Sequence, residues 1–280
     1  MSGTAASARL VSIHIYPLKA ARGVGLDESV VEPWGLAGDR RWLLVDKAGR
    51  FVSQREEPVM ARVTVRHDGP GALTVSASGH PSLSVVAPSA ENGAEMLRVS
   101  VWSSSVMAAA AGPGADSWFS GFLGRAVRLV YLDDPTRRGV DPEYGADGDV
   151  VSFADGYPLL LTNAASLDEL GRWLAEAGDQ PVPMNRFRPN VVVAGFAPWA
   201  EDGWKRIRIG AASFRVVKPC GRCVVTTTDQ VTGETGRQPL AMLGRRRRIG
   251  QMLVFGQNMI PDGPGRIRVG DVVQVLEHAG

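Results

Sequence analysis

Both cysteines of this 280-residue chain lie in one short stretch, at Cys220 and Cys223. Two cations, Lys218 and Arg222, flank them. Positive neighbours favour the thiolate over the thiol, so we expect at least one of these sulfurs to be unusually ionised. A thiolate is a nucleophile and a ligand for soft metals. If this protein catalyses a reaction, the stretch 218–229 is where its chemistry is expected.

The spacing of the cysteine pair has three possible explanations: a zinc site, a thioredoxin-like redox pair, or two buried, inert thiols. Zinc needs four ligands, and the chain has no second cysteine pair. The four histidines are scattered, at His14, His67, His80 and His278. A thioredoxin-like pair opens a helix, whereas residues 224–228 are all β-branched and predict a strand. Zinc and thioredoxin-like chemistry are therefore disfavoured, and two buried, inert thiols remain an alternative.

A second set of residues is suited to holding an anion. Five cations each stand at a predicted strand end or beside a Gly, Pro or Asn turn: Lys19, Arg40, Arg41, Arg186 and Arg188. Singly, such residues usually face solvent. Together in one pocket they would bind a phosphate or a polyanionic cofactor through charge-assisted hydrogen bonds. The only competing glycine motif, at residues 22–25, has Glu28 where a dinucleotide fingerprint needs its third glycine.

Four consecutive arginines form a separate basic run at residues 245–248. Such a run suits RNA, a membrane surface or an acidic protein partner, and it is equally typical of a solvated loop. No aromatic residue is interleaved with it, and no nucleic-acid-binding module surrounds it. Because the net charge is only +2, we expect no nucleic-acid partner.

Composition predicts an ordinary globular protein, with 44% apolar and 21% charged residues. Two cysteines cannot build a disulfide scaffold at this length, so we expect reduced thiols and a cytosolic compartment. No apolar run approaches the roughly 18 residues of a membrane span, and the first residues lack the apolar core of a secretion signal. The expected localisation is cytoplasmic, without a membrane partner.

Alternating apolar residues predict mostly β-structure. Strands are expected at residues 11–15, 41–45, 62–66, 73–76, 83–86, 127–132, 191–193, 207–209, 214–217, 224–228, 252–255, 267–269 and 272–276. A short helix is expected to be capped by Asp116 or Ser117, and another is expected at residues 239–243. The clearest helix begins with a Ser166/Glu169 capping box and ends at Gly178.

The order of these elements predicts the fold class. No strand–helix–strand alternation is evident, so we expect a β-rich α+β fold with few short helices rather than a parallel doubly wound sheet. The stretch 133–149 is rich in Asp, Gly, Pro and Arg and predicts a loop between domains. We place an N-terminal domain at residues 1–135 and a C-terminal domain at residues 136–280. The short strands of the first suggest a small barrel or sandwich.

Several motifs of the chain, taken together, resemble one family. They are Gly38-Asp39-Arg40-Arg41-Trp42, Phe153-Ala154-Asp155, Phe187-Arg188-Pro189-Asn190, and Cys220-Gly221-Arg222-Cys223-Val224 followed by Asp229-x-x-Thr232-Gly233. They resemble the MOSC domain preceded by its N-terminal β-barrel domain, as in the mitochondrial amidoxime-reducing component and its bacterial relatives. The resemblance implies a MOSC β-barrel fused to an N-terminal β-barrel-like domain.

The resemblance also implies a molybdenum cofactor, a molybdopterin that carries Mo, and no pyridoxal phosphate. It assigns Cys223 as the metal ligand and a catalytic residue. The cofactor-binding residues that it implies are Lys19, Arg40, Arg41, Gly156, Tyr157, Arg186, Arg188, Asn190, Cys220 and Arg222. Of these, Gly156 and Tyr157 would approach the metal beside Asp155, the second catalytic residue. Family members often have Lys-Ser where this chain has Lys19-Ala20, so one hydroxyl contact is missing here.

The function that the resemblance implies is reduction of small N-hydroxylated compounds. Because no ferredoxin domain is appended, we expect electrons from a separate flavoprotein, iron–sulfur or haem protein, and the run 245–248 is a candidate docking site for it. One alternative is a protein that carries the cofactor or sulfur without turnover of its own. Another is a β-rich interaction module with buried thiols.

Overall fold

The computed structural model describes residues 8–69 and 71–279, which form nineteen strands and three α-helices. The first eleven strands are β1 (Arg9–Ile15), β2 (Val24–Leu26), β3 (Glu28–Glu32), β4 (Gly35–Leu36), β5 (Trp42–Val45), β6 (Thr64–His67), β7 (Ala72–Ala77), β8 (His80–Val86), β9 (Met96–Val101), β10 (Ser104–Ala110) and β11 (Arg128–Tyr131). The others are β12 (Leu159–Asn163), β13 (Val191–Ala194), β14 (Trp204–Ile209), β15 (Ala212–Gly221), β16 (Arg248–Ile249), β17 (Met252–Pro261), β18 (Gly265–Arg268) and β19 (Val273–His278). The helices are α1 (Pro113–Leu123), α2 (Ala164–Glu176) and α3 (Leu240–Arg246). The predicted β-rich α+β class is confirmed. Within the described residues, no helix is long and apolar enough to cross a membrane.

A nine-stranded sheet is the largest element. Its order is β19-β14-β15-β17-β12-β13-β1-β2, with β16 paired to β17. Because β1 and β2 lie near the N-terminus, this sheet takes strands from both sides of the predicted boundary at residue 135, and that boundary stays a prediction. Apolar residues of β1, β12 and β13, such as Leu10, Leu161 and Val193, are fully buried in its core. Burial of such side chains is the main stabilising term of the sheet.

One strand–helix–strand unit lies within that sheet. β12 and β13 run parallel, with Leu161 opposite Val191, and α2 connects them. The expectation that such units are absent is therefore wrong. Parallel strands need a long crossover, and here a non-periodic segment, residues 179–190, separates α2 from β13 and hides the pairing in the sequence.

Three smaller sheets complete the fold, in the orders β5-β11-β10-β9, β18-β3-β4 and β6-β7-β8. α1 packs its buried Phe119 into a core formed by residues of β5, β7, β8 and β11 and of the segment after β1. Gly112 precedes α1, and neither Asp116 nor Ser117 caps it. The Asp116 carboxylate instead accepts a hydrogen bond from the backbone N–H of Leu129 at 2.9 Å, which ties α1 to β11.

The cap of α2 also differs from the predicted capping box. The side chain of Asn163 caps the helix by accepting a hydrogen bond from Ala165 N at 3.1 Å. Ser166 lies in the first turn, and its hydroxyl donates to the buried carboxylate of Glu201 at 2.7 Å. Gly178 follows the helix with a φ of 76° and ends it as predicted.

The segment after the cysteines is not the predicted strand. Residues Val224–Thr227 form a 3-10 turn. The hydroxyls of Thr226 and Thr227 donate to the carbonyls of Cys223 and Val224, at 2.9 and 2.8 Å. Such local side-chain bonds compete with sheet pairing and override the β-propensity of the sequence. The turn sends the chain away from β15 directly after Cys223.

Candidate functional site

A pocket lies where loops from both halves of the chain meet. The segments that line it follow β1, β4 and β5, precede β12, precede β13, and follow β15. Ten of the twelve site residues predicted from the sequence line this pocket: Lys19, Arg40, Asp155, Gly156, Tyr157, Arg188, Asn190, Cys220, Arg222 and Cys223. Arg41 and Arg186 do not. The lining carries five cations and two carboxylates, so it is suited to an anionic ligand.

Lys19 is buried at the base of the pocket, with only 4% of its side chain exposed. Its ammonium donates to the carbonyl of Phe153 at 2.8 Å and to the carboxylate of Asp155 at 2.5 Å. Burial lowers the pKa of Lys19 to about 8, although Asp155 partly opposes that shift. A buried ammonium that is only partly neutralised is a strong site for an anion.

Asp155 stands at the rim, with 60% of its side chain exposed. Partial loss of hydration raises the pKa of its carboxyl, but Lys19, Arg40 and Arg55 outweigh that effect and hold the pKa well below its usual value. Asp155 is therefore an anion at neutral pH and acts as a hydrogen-bond acceptor. The buried guanidinium of Arg138 fixes its loop by donating to the carbonyls of Ala154 at 2.6 Å and Asp155 at 3.1 Å.

Arg40 and Arg188 meet at one phenol ring. Their guanidinium carbons lie 4.4 and 4.2 Å from the ring centroid of Tyr16. Both arginines have a positive φ, 52° and 56°, and so does Ala20 at 73°. A non-glycine residue in this region of conformational space costs on the order of 1–3 kcal/mol and persists only where its surroundings enforce it. Three such residues in one pocket mark it as a functional site.

Arg188 gives the clearest indication that the pocket suits an anionic ligand. Its side chain is 6% exposed. One terminal nitrogen, Nη1, donates to Gln230 Oε1 at 3.0 Å, while the buried Nη2 has no partner within the described structure. A buried donor without a partner costs about 1–3 kcal/mol, more when it is charged. A phosphate oxygen in the pocket would satisfy Nη2, so the residues present fit a phosphate-bearing cofactor.

The two thiols are held by different arginines. Arg55 Nη2 donates to Cys223 Sγ at 3.1 Å, and Arg222 Nη1 donates to Cys220 Sγ at 2.9 Å. Both cysteines are free and partly exposed on the pocket wall. Lys218, the other expected neighbour, places its ammonium 4.1 Å from the ring centroid of Tyr144 instead. Each sulfur can therefore act as a separate ligand or nucleophile.

Asn190, Gly156 and Tyr157 line the pocket in different ways. The side chain of Asn190 accepts from Leu160 N at 3.0 Å and donates to His14 O at 3.2 Å, so it links strands as well as lining the wall. A Cβ at Gly156 would meet nothing within 4 Å, so this position leaves open space. Burial raises the pKa of Tyr157 to about 12, and its hydroxyl stays protonated at neutral pH.

Arg41 and Arg186 point away from the pocket because other acceptors take their guanidinium groups. Arg41 donates to the carbonyls of Leu132 and Asp133, and its Nε lies 3.1 Å from the former. Arg186 donates to Thr227 O at 2.7 Å and to Asp229 Oδ2 at 3.0 Å. Arg186 thus stabilises the turn after Cys223 from outside the pocket.

The sequence did not reveal Gln54, Arg55, Arg138 or Gln230 as site residues. Gln54 donates to Ala20 O at 2.5 Å, and Gln54 and Gln230 donate to each other's side-chain oxygens at 3.2 and 3.1 Å. Arg55 stands in an ordinary charged loop before Glu56 and Glu57. No motif marks any of these positions, because their roles depend on contacts between distant segments.

Comparisons with known proteins agree with this architecture. Residues 7–126 match the MOSC N-terminal beta barrel domain family, and residues 148–274 match the MOSC domain family. Mitochondrial amidoxime-reducing component 1 of Mus musculus is 32% identical, over 95% of this chain and 82% of that protein. Molybdenum cofactor sulfurase of Oryza sativa subsp. japonica is 29% identical, over 88% of this chain and 32% of that protein.

Among solved structures, the YuaD protein from Bacillus subtilis matches with a TM-score of 0.44 and 12% identity, over 95% of this chain and 94% of that one. The family assignment depends on the two domain matches and on the identity to the mouse protein. The chain belongs to the family of MOSC-domain proteins with an N-terminal MOSC β-barrel domain, the family of the mitochondrial amidoxime-reducing components.

Proposed function

We propose that this protein binds a molybdenum cofactor in the pocket and reduces small N-oxygenated compounds such as amidoximes and hydroxylamines. The observation that carries the proposal is the presence of Cys223 and the unpartnered Nη2 of Arg188 on the walls of one cationic pocket. The first is a ligand for a soft metal and the second a site for a phosphate. Relatives named for amidoxime reduction and for the molybdenum cofactor support it.

The residues would divide the binding between metal and phosphate. Cys223 is the proposed thiolate ligand, held by Arg55. Lys19, Arg40 and Arg188 would neutralise the phosphate and the pterin edge, since their charges converge in the pocket. When bound, the cofactor supplies two-electron redox chemistry at the metal, while the protein supplies ligation, orientation and charge.

Reduction of an amidoxime consumes two electrons and two protons, breaks the N–O bond, and releases an amidine and water. Asp155 is suited to orient this substrate, because its exposed carboxylate can accept a hydrogen bond from the amidoxime NH2 group. Lys19 holds a proton on Nζ next to Asp155 and keeps that carboxylate in place. The role of both residues is to position the substrate and hold charge.

We propose a separate protein as the electron donor, in keeping with the word "component" in the names of the relatives. A flavoprotein, an iron–sulfur protein or a haem protein would serve. A cytoplasmic location is proposed on the reduced thiols alone.

The proposal is tested by elemental analysis of protein made in a host that synthesises the cofactor. We expect stoichiometric molybdenum and turnover of an amidoxime with reduced methyl viologen. Cys223→Ala should abolish molybdenum binding, whereas Cys220→Ala should retain most of it. Equal losses from both variants would show that the thiols act as a pair, and molybdenum-free wild-type protein would refute the proposal.

A cofactor-carrying role is the second candidate, supported by the similarity to the rice molybdenum cofactor sulfurase. A carrier would hold the cofactor, or sulfur on Cys223, without reducing a substrate. Stoichiometric molybdenum without turnover of any N-hydroxylated compound would favour the carrier over the reductase.

A further inference from the structure

An indole ring stands at the tip of a hairpin beside the pocket. β9 and β10 are joined by two residues, Trp102 and Ser103, since Val101 pairs with Ser104. Trp102 has a φ of 56° and is 50% exposed. Positive φ in a two-residue hairpin loop usually selects Gly, Asn or Asp. Because half of Trp102 is exposed, burial of its ring offsets little of the strain of this backbone conformation. We therefore expect the ring to have another role.

The ring contacts two residues that line the pocket. Phe51 meets it edge to face, with 4.9 Å between the centroids. The guanidinium carbon of Arg55 lies 4.4 Å from the centroid of Trp102, and Arg55 Nη2 donates to Cys223 Sγ. One side chain, Arg55, therefore separates this indole from the proposed metal ligand. The cation–π contact also fixes the orientation of the ring.

We propose that Trp102 and Phe51 form an aromatic wall at the mouth of the pocket that selects planar, conjugated substrates, aryl amidoximes over alkyl amidoximes. The inference rests on the proposed function and names the substrate class of the same site. An aryl ring in conjugation with the C=N bond makes the whole substrate flat. Such a substrate can stack on the indole while its N–O group points toward Cys223, and aromatic pairs prefer offset-stacked or edge-to-face contacts of this kind.

The test compares two probes, benzamidoxime and acetamidoxime, on the cofactor-loaded protein with reduced methyl viologen as the donor. Trp102→Gly removes the ring and places at φ 56° a residue that adopts it freely, so the hairpin should fold. We expect kcat/KM for benzamidoxime to fall about fivefold to tenfold and that for acetamidoxime to stay within about twofold. Trp102→Phe should retain most of the preference.

Trp34→Ala is the matched control, because Trp34 also stacks on an arginine, Arg41 at 5.7 Å, but Arg41, unlike Arg55, does not line the pocket. A second readout is the affinity of benzamidine, the product of benzamidoxime reduction, measured by calorimetry on the resting loaded protein; Trp102→Gly should weaken this affinity by a similar factor.

Three results would overturn the inference. An equal loss of kcat/KM for both probes would indicate a structural role for Trp102. An unchanged ratio of kcat/KM between the two probes, with unchanged benzamidine affinity, would show that the ring does not contact the substrate. Equal wild-type kcat/KM values for acetamidoxime and benzamidoxime would show that the pocket has no aryl preference. Wild-type protein that reduces neither probe would instead overturn the proposed function, and the substrate class with it.

Discussion

Lys19 is the residue whose charge state should govern anion binding in the pocket. Burial lowers its pKa to about 8, so Lys19 is protonated at pH 7 and loses its proton as the pH rises through that value. An anion binds the protonated form better, so affinity should be full below pH 7 and fall above pH 8. Lys19→Met should lower sulfate affinity at pH 7 about tenfold or more, with little further change up to pH 9.

Calorimetry of sulfate binding between pH 6 and 9 measures this, because the charge of sulfate is constant over that range. Lys47→Met is the control, since Lys47 is exposed and lies outside the pocket lining. If the sulfate affinity of Lys19→Met also fell above pH 8, a group other than Lys19 would be responsible for the titration.

Single residues also show what the sequence could and could not predict. Cations that stand in recognisable motifs, such as Lys19 and Arg188, are predicted from the sequence to share one site. Arg55 is not, because its contact with Cys223 joins segments 168 positions apart. The positive φ values of Arg40 and Arg188 likewise follow from packing against Tyr16, which no local pattern encodes.

Among the secondary-structure elements, α2 precedes the loop that carries Arg188. We expect the N-terminal cap of α2 to contribute to the free energy of unfolding. Asn163 caps the helix and donates to Ala197 O at 2.8 Å and to Glu201 Oε2 at 3.1 Å. Asn163→Ala removes the cap, worth about 1 kcal/mol, and leaves buried acceptors short of a donor, which costs about 1–3 kcal/mol. We expect the free energy of unfolding to fall by about 2–4 kcal/mol, measured by urea denaturation.

Ser89→Ala provides the comparison for that variant. Ser89 caps the short 3-10 turn Ala90–Asn92 through a hydrogen bond from Asn92 N, but its site is exposed. Its loss should cost about 0.5–1 kcal/mol. If the two variants proved equally stable, the buried bonds of Asn163 to Ala197 and Glu201 would contribute nothing.

The elements themselves were largely predictable where apolar alternation decides them. β1 buries one face and β13 both faces, and the apolar pattern predicts such strands directly. β9 and β10 were not predicted. The start of α2 and the 3-10 turn Val224–Thr227 were not predicted, because side-chain hydrogen bonds compete there with propensity. The pairing of β1 with β13 joins residues about 180 positions apart, and only the folded sheet reveals it.

For the whole molecule, the distribution of charge matters more than its sum of +2. In the basic run, Arg247 is paired with Asp202, whereas Arg245, Arg246 and Arg248 are exposed and form no ion pair in the described structure. Arg248 lies opposite Leu253, whose carbonyl accepts a hydrogen bond from Arg222 N at 2.6 Å. Arg248 is thus about two strand spacings, roughly 10 Å, from Arg222, which lies between the two cysteines.

We propose the three arginines without an ion pair as the docking site of an acidic electron donor, because opposite charges would steer association toward the proposed metal site. Charge reversal of Arg245, Arg246 and Arg248 to Glu should raise KM for an acidic [2Fe–2S] ferredoxin about tenfold or more at low salt, and rising ionic strength should reduce the difference. Activity with reduced methyl viologen should not change. Reversal of three exposed cations elsewhere, Lys47, Arg98 and Lys205, matches the change in net charge. If both triple variants raised KM equally, the protein's overall charge, and not the basic run at residues 245–248, would steer the donor.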